Sequence, residues 1–392
     1  MPPDRRKVLL IYPKTGQDVF GVNVGLPIGL LYLGTALEAA GFAPEILDER
    51  VVEDFEAEVR RAVASEPLFA GISAMTGFQI RGGLRVAAAL RELRPELPLV
   101  WGGVHPTLVS ETTIAHPLVD IIGLGEGEGT VVELATCLAS GGEIERVPGL
   151  LVKRGGAVIR TPERPPLADL DALPRPDYGL VDVADYKTIG HLLRESQLQL
   201  STSRGCVHRC GYCYNLLFNH RRYRCQSAER TFEEIRHLHR QFGVRSLFFF
   251  DDYFFARPDR VRRLLELIEA DGLRVTFEVS CRVDFLERAD REFLERLKQA
   301  GFMELLIGVE SGNDEILRRI QKDFTVEQVL SVNRKLAAAG IHAKYSFMAG
   351  FPGETEDQVL DTVALMRRLL RENPLYFLST IVIYTPYPGT EL

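Results

Sequence analysis

Cys206, Cys210 and Cys213 stand in the run Ser203-Arg204-Gly205-Cys206-Val207-His208-Arg209-Cys210-Gly211-Tyr212-Cys213-Tyr214, a C-x3-C-x2-C spacing that holds three thiols on one tight loop. An iron-sulfur cubane takes four cysteine thiolates as a rule, so a loop offering three leaves one iron with a free position for a substrate or cosubstrate. The competing assignment is zinc, because His208 lies inside the same loop and Cys3His is a common structural set for that metal. Zinc sites usually draw their ligands in two pairs from separate turns. Here a histidine two residues from each of two cysteines would crowd one loop, and the spacing favours iron.

Such a loop needs a rigid frame, and the residues after Leu198 supply one. Strands are predicted at Gln199 to Ser203, Ser246 to Asp251, Thr276 to Cys281, Phe302 to Val309, Ala343 to Met348 and Phe377 to Tyr384. Amphipathic helices are predicted between them at Thr231 to Phe242, Pro258 to Ala270, Asp290 to Ala300, Val326 to Ala339 and Glu356 to Leu370. Six such repeats over 199–392 make an open, partial (β/α)6 version of the parallel barrel, whose chemistry gathers at the carboxyl ends of the strands. The cysteine loop follows the first strand, and Asp251-Asp252-Tyr253-Phe254 the second. Arg282 with Asp284 follows the third, Glu310-Ser311-Gly312 the fourth, Gly350-Phe351-Pro352-Gly353-Glu354-Thr355 the fifth and Tyr384 to Thr390 the sixth. Singly, each has a plain reading: Asp252 as a turn cap, Glu310 as partner of a barrel arginine, Gly-Phe-Pro-Gly as a strain-relieving turn. The ordered set favours function, because independent coincidences multiply.

The first half alternates short apolar runs with helical stretches, the pattern of a parallel sheet covered on both faces. Strands are predicted at Lys7 to Tyr12, Ala43 to Leu47, Phe69 to Ser73, Leu97 to Trp101 and Asp120 to Leu124, with helices at Gly29 to Ala40, Asp54 to Ala64, Gln79 to Leu93 and Glu128 to Ala139. This gives a five-stranded, doubly wound, Rossmann-like domain over 1–142. Ligands of such domains sit outside the carboxyl ends of the strands, which here carry small and polar residues. Ser73, Met75 and Thr76 follow the third strand; Gly102, Gly103 and His105 the fourth; Gly125, Glu126 and Glu128 the fifth. Glycines at these ends let a bulky ligand approach the backbone. Between the halves, 143–198 reads as a connection: a hairpin of Gly149 to Val152 and Ala157 to Arg160 around a Lys-Arg-Gly-Gly turn, then an extended arm with prolines at 162, 165, 166, 174 and 176.

The chain has 392 residues, 46% hydrophobic and 26% charged, the balance of an ordinary soluble α/β protein of two domains. A formal charge of -7 argues against general nucleic-acid binding. The apolar run of the first strand ends at Pro13, too short for a signal sequence or a membrane span. The basic run His220-Arg221-Arg222-Tyr223-Arg224 is either a solvated loop face or a grip on an anionic substrate. Cys137, Cys225 and Cys281 complete the cysteines without regular spacing. A reducing cytoplasm suits the free thiols and an oxygen-sensitive cluster.

The cysteine signature, with aromatic Tyr212 just before the third cysteine, and the ordered strand-end series after it resemble the radical S-adenosylmethionine (SAM) superfamily. Gly102-Gly103-Val104-His105-Pro106-Thr107, Gly125-Glu126-Gly127-Glu128 and Pro27-Ile28-Gly29-Leu30-Leu31-Tyr32-Leu33 resemble the cobalamin-binding N-terminal domain of cobalamin-dependent radical SAM proteins. The likeness is to the group containing the anaerobic magnesium-protoporphyrin IX monomethyl ester cyclase and related methyltransferases. The resemblance implies a 4Fe-4S cluster on the three cysteines, its open iron chelated by SAM, and cobalamin at the strand-end residues of the first domain. It places the SAM ammonium by Asp251 or Asp252, its carboxylate by the Arg282 fork, its ribose or ammonium by Glu310 and Ser311, and adenine against Gly350 and Tyr384. It further implies a flavodoxin- or ferredoxin-type electron donor, and methyl transfer to an unactivated carbon of a small-molecule or natural-product substrate with two SAM consumed per turnover. Relatives usually carry a further C-terminal segment, so a shortened chain or an open barrel mouth is expected. The D-x-H-x-x-G that gives cobalt a histidine in many cobalamin proteins is absent after the first strand, where Gln17-Asp18-Val19-Phe20-Gly21 stands. Members of the group often bind cobalamin without it, and His105 is left as a candidate ligand. The alternatives are radical cyclisation of a tetrapyrrole-like substrate, a radical SAM enzyme that has lost cobalamin, and a zinc-stabilised metabolite-binding module.

Overall fold

Val8, Leu9, Leu10 and Ile11 are each at most 1% exposed, so the strand that carries them is buried on both faces, as a parallel strand between helices must be. The computed structural model describes residues 6–16, 24–186, 188–189 and 196–392. It divides into two compact units at Thr188 and Ile189. The first contains β1 (Lys7–Tyr12), β2 (Ala43–Asp48), β3 (Ala70–Ser73), β4 (Leu99–Gly102), β5 (Ile121–Gly123), β6 (Leu150–Arg154) and β7 (Ala157–Arg160), in the order β2-β1-β3-β4-β5-β6-β7. The pairs from β2 to β5 are parallel, and the order reverses between β1 and β3, the point where doubly wound sheets bind ligands. Alternate residues feed two cores: Leu9, Ile11, Ile72 and Trp101 face one side, Val8, Leu10, Phe69 and Val100 the other.

The sheet has seven strands rather than the expected five, because the hairpin of the connection joins it antiparallel to β5. Leu150, Leu151 and Val152 are at most 1% exposed and could not be left on a free linker, whereas β7 forms an exposed edge. The proline-rich arm is tied to the same unit. Asp177 N–H donates to Thr35 Oγ1 at 2.7 Å, Leu167 N–H to Glu126 at 2.8 Å, and the Tyr186 hydroxyl to the buried Asp48 at 3.1 Å.

The second large sheet takes in β8 (Thr188–Ile189), at the boundary of the units in sequence, and then β9 (Ser196–Leu200), β12 (Ser246–Phe249), β13 (Thr276–Cys281), β14 (Phe302–Glu310), β15 (His342–Ala349) and β16 (Tyr376–Ile383) of the second unit, with β10 (Ser203–Arg204) and β11 (Arg224–Cys225) as a separate short ladder. From β9 to β16 the large sheet is parallel throughout. The first barrel strand ends at Leu200, three residues earlier than expected, because Thr202 and Ser203 turn to bind Asp251. Rings of Phe249, Phe254, Phe277 and Phe302 pack with centroids 4.5 to 6.0 Å apart beneath the strand ends. Register slips between Gly308 and Glu310, a bulge that turns the end of β14.

Candidate functional site

The cysteine loop is anchored at both ends. Gly205 has φ +86°, and any side chain there would run into the carbonyl of Arg222, so only glycine lets the loop leave the β10–β11 ladder this tightly. Its N–H donates to Asp252 at 3.0 Å. At the other end Cys213 N–H donates to the Cys210 carbonyl at 3.0 Å and Gly211 N–H to the Ile320 carbonyl at 3.1 Å. None of the three thiols is in a disulfide; Cys210 is buried, and Cys206 and Cys213 are half-buried. Burial pushes the Cys206 thiol up and the Cys213 thiol up to about 11, so both stay protonated at neutral pH until a metal displaces the proton. Among the described residues no three His, Cys, Asp or Glu side chains converge on a single ion position. A cubane makes a different demand, taking each thiolate at a separate iron, and three thiols spread along one loop fit it.

Several strand-end residues expected to meet SAM also bond within the chain itself. Asp251 is 4% exposed and accepts from Thr202 N–H at 2.6 Å, Thr202 Oγ1 at 2.7 Å and Ser203 Oγ at 2.7 Å, so it staples the end of β9 to β12. Asp252, beside it, is exposed. Arg282 does not hold out a free fork: Nε donates to Asp284 at 2.8 Å, Nη2 to the Lys322 carbonyl at 2.6 Å, and Nη1 to Cys210 Sγ at 3.4 Å. The guanidinium thus sets a positive charge against a cysteine sulfur. Ser311 is fully buried, its hydroxyl shared with Thr362 Oγ1 at 3.3 Å and the Asn313 N–H at 3.2 Å.

Glu310 holds a left-handed backbone, φ +71°, which a non-glycine residue adopts only when its surroundings require it. The bulge and this dihedral aim the carboxylate inward. There Oε1 accepts from the Tyr212 hydroxyl at 3.0 Å and from Lys322 Nζ at 3.0 Å, and Lys322 also donates to the Tyr212 oxygen at 3.1 Å. The side chains of Lys322 and Glu310 are 5% and 9% exposed. A buried triad therefore joins the end of β14 to the cysteine loop. Burial beside Glu310 holds the Tyr212 phenol well above its usual range, so it stays a donor. The Tyr212 ring lies 6.1 Å from Phe351, and Phe351 lies 5.3 Å from Tyr384, an aromatic row that brings together the cysteine loop and the ends of β15 and β16. Gly350 and Phe351 N–H groups both donate to Glu354, at 2.6 and 3.2 Å, closing the Gly-Phe-Pro-Gly turn. His208 meets the Tyr253 ring edge-on at 5.0 Å; burial, helped by the Arg282 charge, pushes its imidazole down to about 4, so it is neutral. Cys225 pairs with Ser203 across the β10–β11 ladder.

In the first unit the loops after β3, β4 and β5 are bound to one another. Ser73 pairs in register with Gly102, Ala74 N–H donates to the Gly102 carbonyl at 2.9 Å, and His105 N–H to the Ala74 carbonyl at 3.1 Å. Thr76 Oγ1 meets His105 Nδ1 at 3.1 Å, and Gly125 N–H donates to Thr107 Oγ1 at 3.1 Å. Gly103 has φ +105°, with a Cβ position only 2.8 Å from the Ala74 carbonyl oxygen. At Gly102 and Gly125, by contrast, a Cβ would meet nothing within 4 Å, which leaves backbone open to a ligand. Met75 and Phe78 are 40% and 71% exposed at this end, apolar surface of the kind a flat macrocycle covers, and the residues fit such a group. Burial lowers the His105 imidazole from its usual range, leaving it neutral. Glu126 is engaged with the Leu167 N–H of the arm, and Glu128 opens the helix Glu128–Ser140. The loop 17–21 lies outside the described residues.

Sequence reasoning did not find Lys322, which reads as one polar residue in a charged stretch, nor Gln79. The buried Gln79 amide accepts from Met75 N–H at 2.8 Å and donates to the Pro13 carbonyl at 3.2 Å, tying the ends of β1 and β3.

The sequence matches the B12 binding domain over residues 22–135 and the radical SAM superfamily over residues 200–366. The two matches, in that order on one chain, define an α/β enzyme with a cobalamin-binding and a radical SAM domain. An uncharacterized methyltransferase of Pyrococcus horikoshii is 30% identical over 98% of this chain and 82% of its own. The anaerobic magnesium-protoporphyrin IX monomethyl ester cyclase of Synechocystis is 30% identical over 93% of this chain and 72% of its own. The radical SAM methyltransferase TsrM of Kitasatospora setae, solved with cobalamin and a [4Fe-4S] cluster bound, shares the fold with TM-score 0.78 at 21% identity over 99% of this chain and 74% of its own. The chain belongs to the cobalamin-dependent radical SAM family. It is an enzyme whose cofactors are a 4Fe-4S cluster, SAM and cobalamin. Among the described residues no helix is long and apolar enough to cross a membrane.

Proposed function

We propose that this enzyme transfers a methyl group to an unactivated carbon of a small organic acceptor in the cytoplasm, drawing electrons from a flavodoxin- or ferredoxin-type protein. The observation that carries the reading is the combination, on one chain 30% identical to a methyltransferase over 98% of its length, of a three-thiol loop at the strand ends of one unit and an open glycine-lined strand end in the other. We assign cobalamin to 1–142, the hairpin and arm to 143–198 and the radical SAM barrel to 199–392.

Cys206, Cys210 and Cys213 would hold the cluster, and the Arg282 guanidinium would steady the negative charge that three thiolates bring. When bound, the cofactors would supply the difficult chemistry, reductive cleavage of SAM and carriage of the methyl group. The chain's own task is placement. Exposed Asp252 would accept from the SAM ammonium, its Gly205 bond fixing it against the cysteine loop. Glu310, locked by Lys322 and Tyr212, would present a carboxylate to the ribose or ammonium, and Gly350 with Tyr384 would line the adenine. In the first unit Ser73, Met75, Thr76, Gly102, Gly103, His105 and Gly125 line the cobalamin position, with Glu126 and Glu128 behind them.

The test is an anaerobic incubation with methyl-deuterated SAM, a low-potential reductant and the reconstituted enzyme. Deuterated methyl on cobalamin together with 5'-deoxyadenosine supports methyl transfer. Release of 5'-deoxyadenosine with no label reaching cobalamin over many turnovers would contradict it.

A further inference from the structure

His220, Arg221 and Arg222 follow the cysteine loop in sequence, and the fold returns them to its outer side. Arg221 Nε donates to the Val207 carbonyl at 3.2 Å, the Arg222 carbonyl sits against Gly205, and Arg222 N–H donates to the Asn219 carbonyl at 2.9 Å. Val207 and Arg209 lie between the first two cysteines, and both are exposed, as are His220, Arg221 and Arg222. The patch is therefore cationic around one apolar side chain, with the cysteine loop as its floor. His220 and Arg221 hold it in place with φ +50° and +59°, left-handed backbone that L-residues adopt in succession only when something else fixes it. Arg209 faces Asp323 at 3.3 Å, a half-exposed and well-screened pair. Among the described residues no ion pair joins Arg221 or Arg222 to a carboxylate. The chain as a whole carries a net charge of -7, whereas Arg221 and Arg222 stand here without a carboxylate partner.

Arginines gripping a small anion need enclosure to exclude water, whereas these stand out from the surface around an exposed valine, the composition of a protein-protein contact. We propose that this patch docks an acidic one-electron carrier protein that reduces the cluster. The proposal rests on the reading that Cys206, Cys210 and Cys213 hold a 4Fe-4S cluster. One electron leaves a flavin hydroquinone anion, which becomes the neutral semiquinone, and enters the oxidised cluster; no bond or proton changes hands. From a carrier seated on Val207 the electron crosses only the backbone between Val207 and Cys206.

The experiment uses the reconstituted full chain and a bacterial flavodoxin photoreduced to the hydroquinone, with cluster bleaching followed by anaerobic stopped flow. Methyl viologen radical, a small cation that needs no docking surface, is the parallel reductant. Raising the ionic strength from ~20 to ~300 mM should slow wild-type reduction by flavodoxin about tenfold or more, as for steered association. At low salt Arg222→Glu should slow it by about the same factor and lose the salt dependence, with the methyl viologen rate not slowed. Arg209→Glu should behave likewise, so low iron content in one variant leaves the other to decide. Equal flavodoxin rates in wild type and variants, or equal slowing with both reductants, would overturn the proposal. A wild-type chain with no absorbance reducible by methyl viologen would overturn the cluster reading beneath it.

Discussion

Replacing Lys322 with methionine should strand a carboxylate in the wall of the barrel. Lys322 Nζ and Glu310 Oε1 are 3.0 Å apart with side chains 5% and 9% exposed, so water cannot take the place of the lost ammonium. Removing one partner of such a buried pair costs about 3–5 kcal/mol, because the remaining charge keeps its desolvation penalty and loses its counter-ion. For a unit of this size each kcal/mol lowers the melting temperature by roughly 2–4 °C, which puts the expected loss at roughly 6–20 °C. The double variant Lys322→Met/Glu310→Gln should recover most of that, since both charges go together and the Tyr212 hydroxyl retains an acceptor in the glutamine oxygen. Differential scanning calorimetry on the metal-free chain, with near-ultraviolet circular dichroism to follow the barrel, measures both. A Lys322→Met chain that melts within about 2 °C of wild type, or a double variant no better than the single, would refute the claim that Lys322 and Glu310 act as a buried charged pair.

Asp252→Asn should weaken SAM binding by roughly ten- to a hundredfold, the equivalent of one charge-assisted hydrogen bond, with cluster content unchanged; the titration is read from the change in the cluster's electron paramagnetic resonance on adding SAM. Gly103→Ala should cost roughly 1–3 kcal/mol of local strain, because φ +105° and the nearby Ala74 carbonyl oxygen leave no room for a methyl group. Cobalamin retained after desalting should fall while iron content stays at the wild-type level. In the metal-free chain Cys213 should alkylate slowly at pH 8. Its thiol is pushed up to about 11, so the thiolate fraction, and with it the rate, rises about tenfold per pH unit until the pH nears that value.

Much of the frame was legible because buried parallel strands announce themselves as apolar runs: Lys7–Tyr12 and Thr276–Cys281 have the bounds that their residues suggest. The first barrel strand was misplaced because Thr202 and Ser203 belong to a polar clasp on Asp251, a long-range contact that local pattern does not reveal. The hairpin looked like a linker because a two-strand ribbon carries no sign of which sheet edge it will join. At the site, the strand-end positions were readable, but how each spends its donors was not. Arg282, Ser311 and Asp251 look as available in sequence as Asp252 does, and only packing shows that their polar atoms are taken. Lys322 was unreadable for a related reason. It reaches Glu310 through a turn in which Gln321 and Asp323 both hold left-handed backbone, and no residue pattern signals such a turn.

The central claim is that one chain carries both a cluster and cobalamin, on separate units. It is tested most directly by anaerobic reconstitution with iron, sulfide and hydroxocobalamin, followed by desalting, metal analysis and spectra, beside a variant with Cys206, Cys210 and Cys213 all replaced by alanine. The account predicts a reducible 4Fe-4S cluster and retained cobalamin in the wild type, with the variant losing the cluster and keeping cobalamin. A cluster that survives loss of the three cysteines, or zinc in place of iron in the wild type, would contradict it.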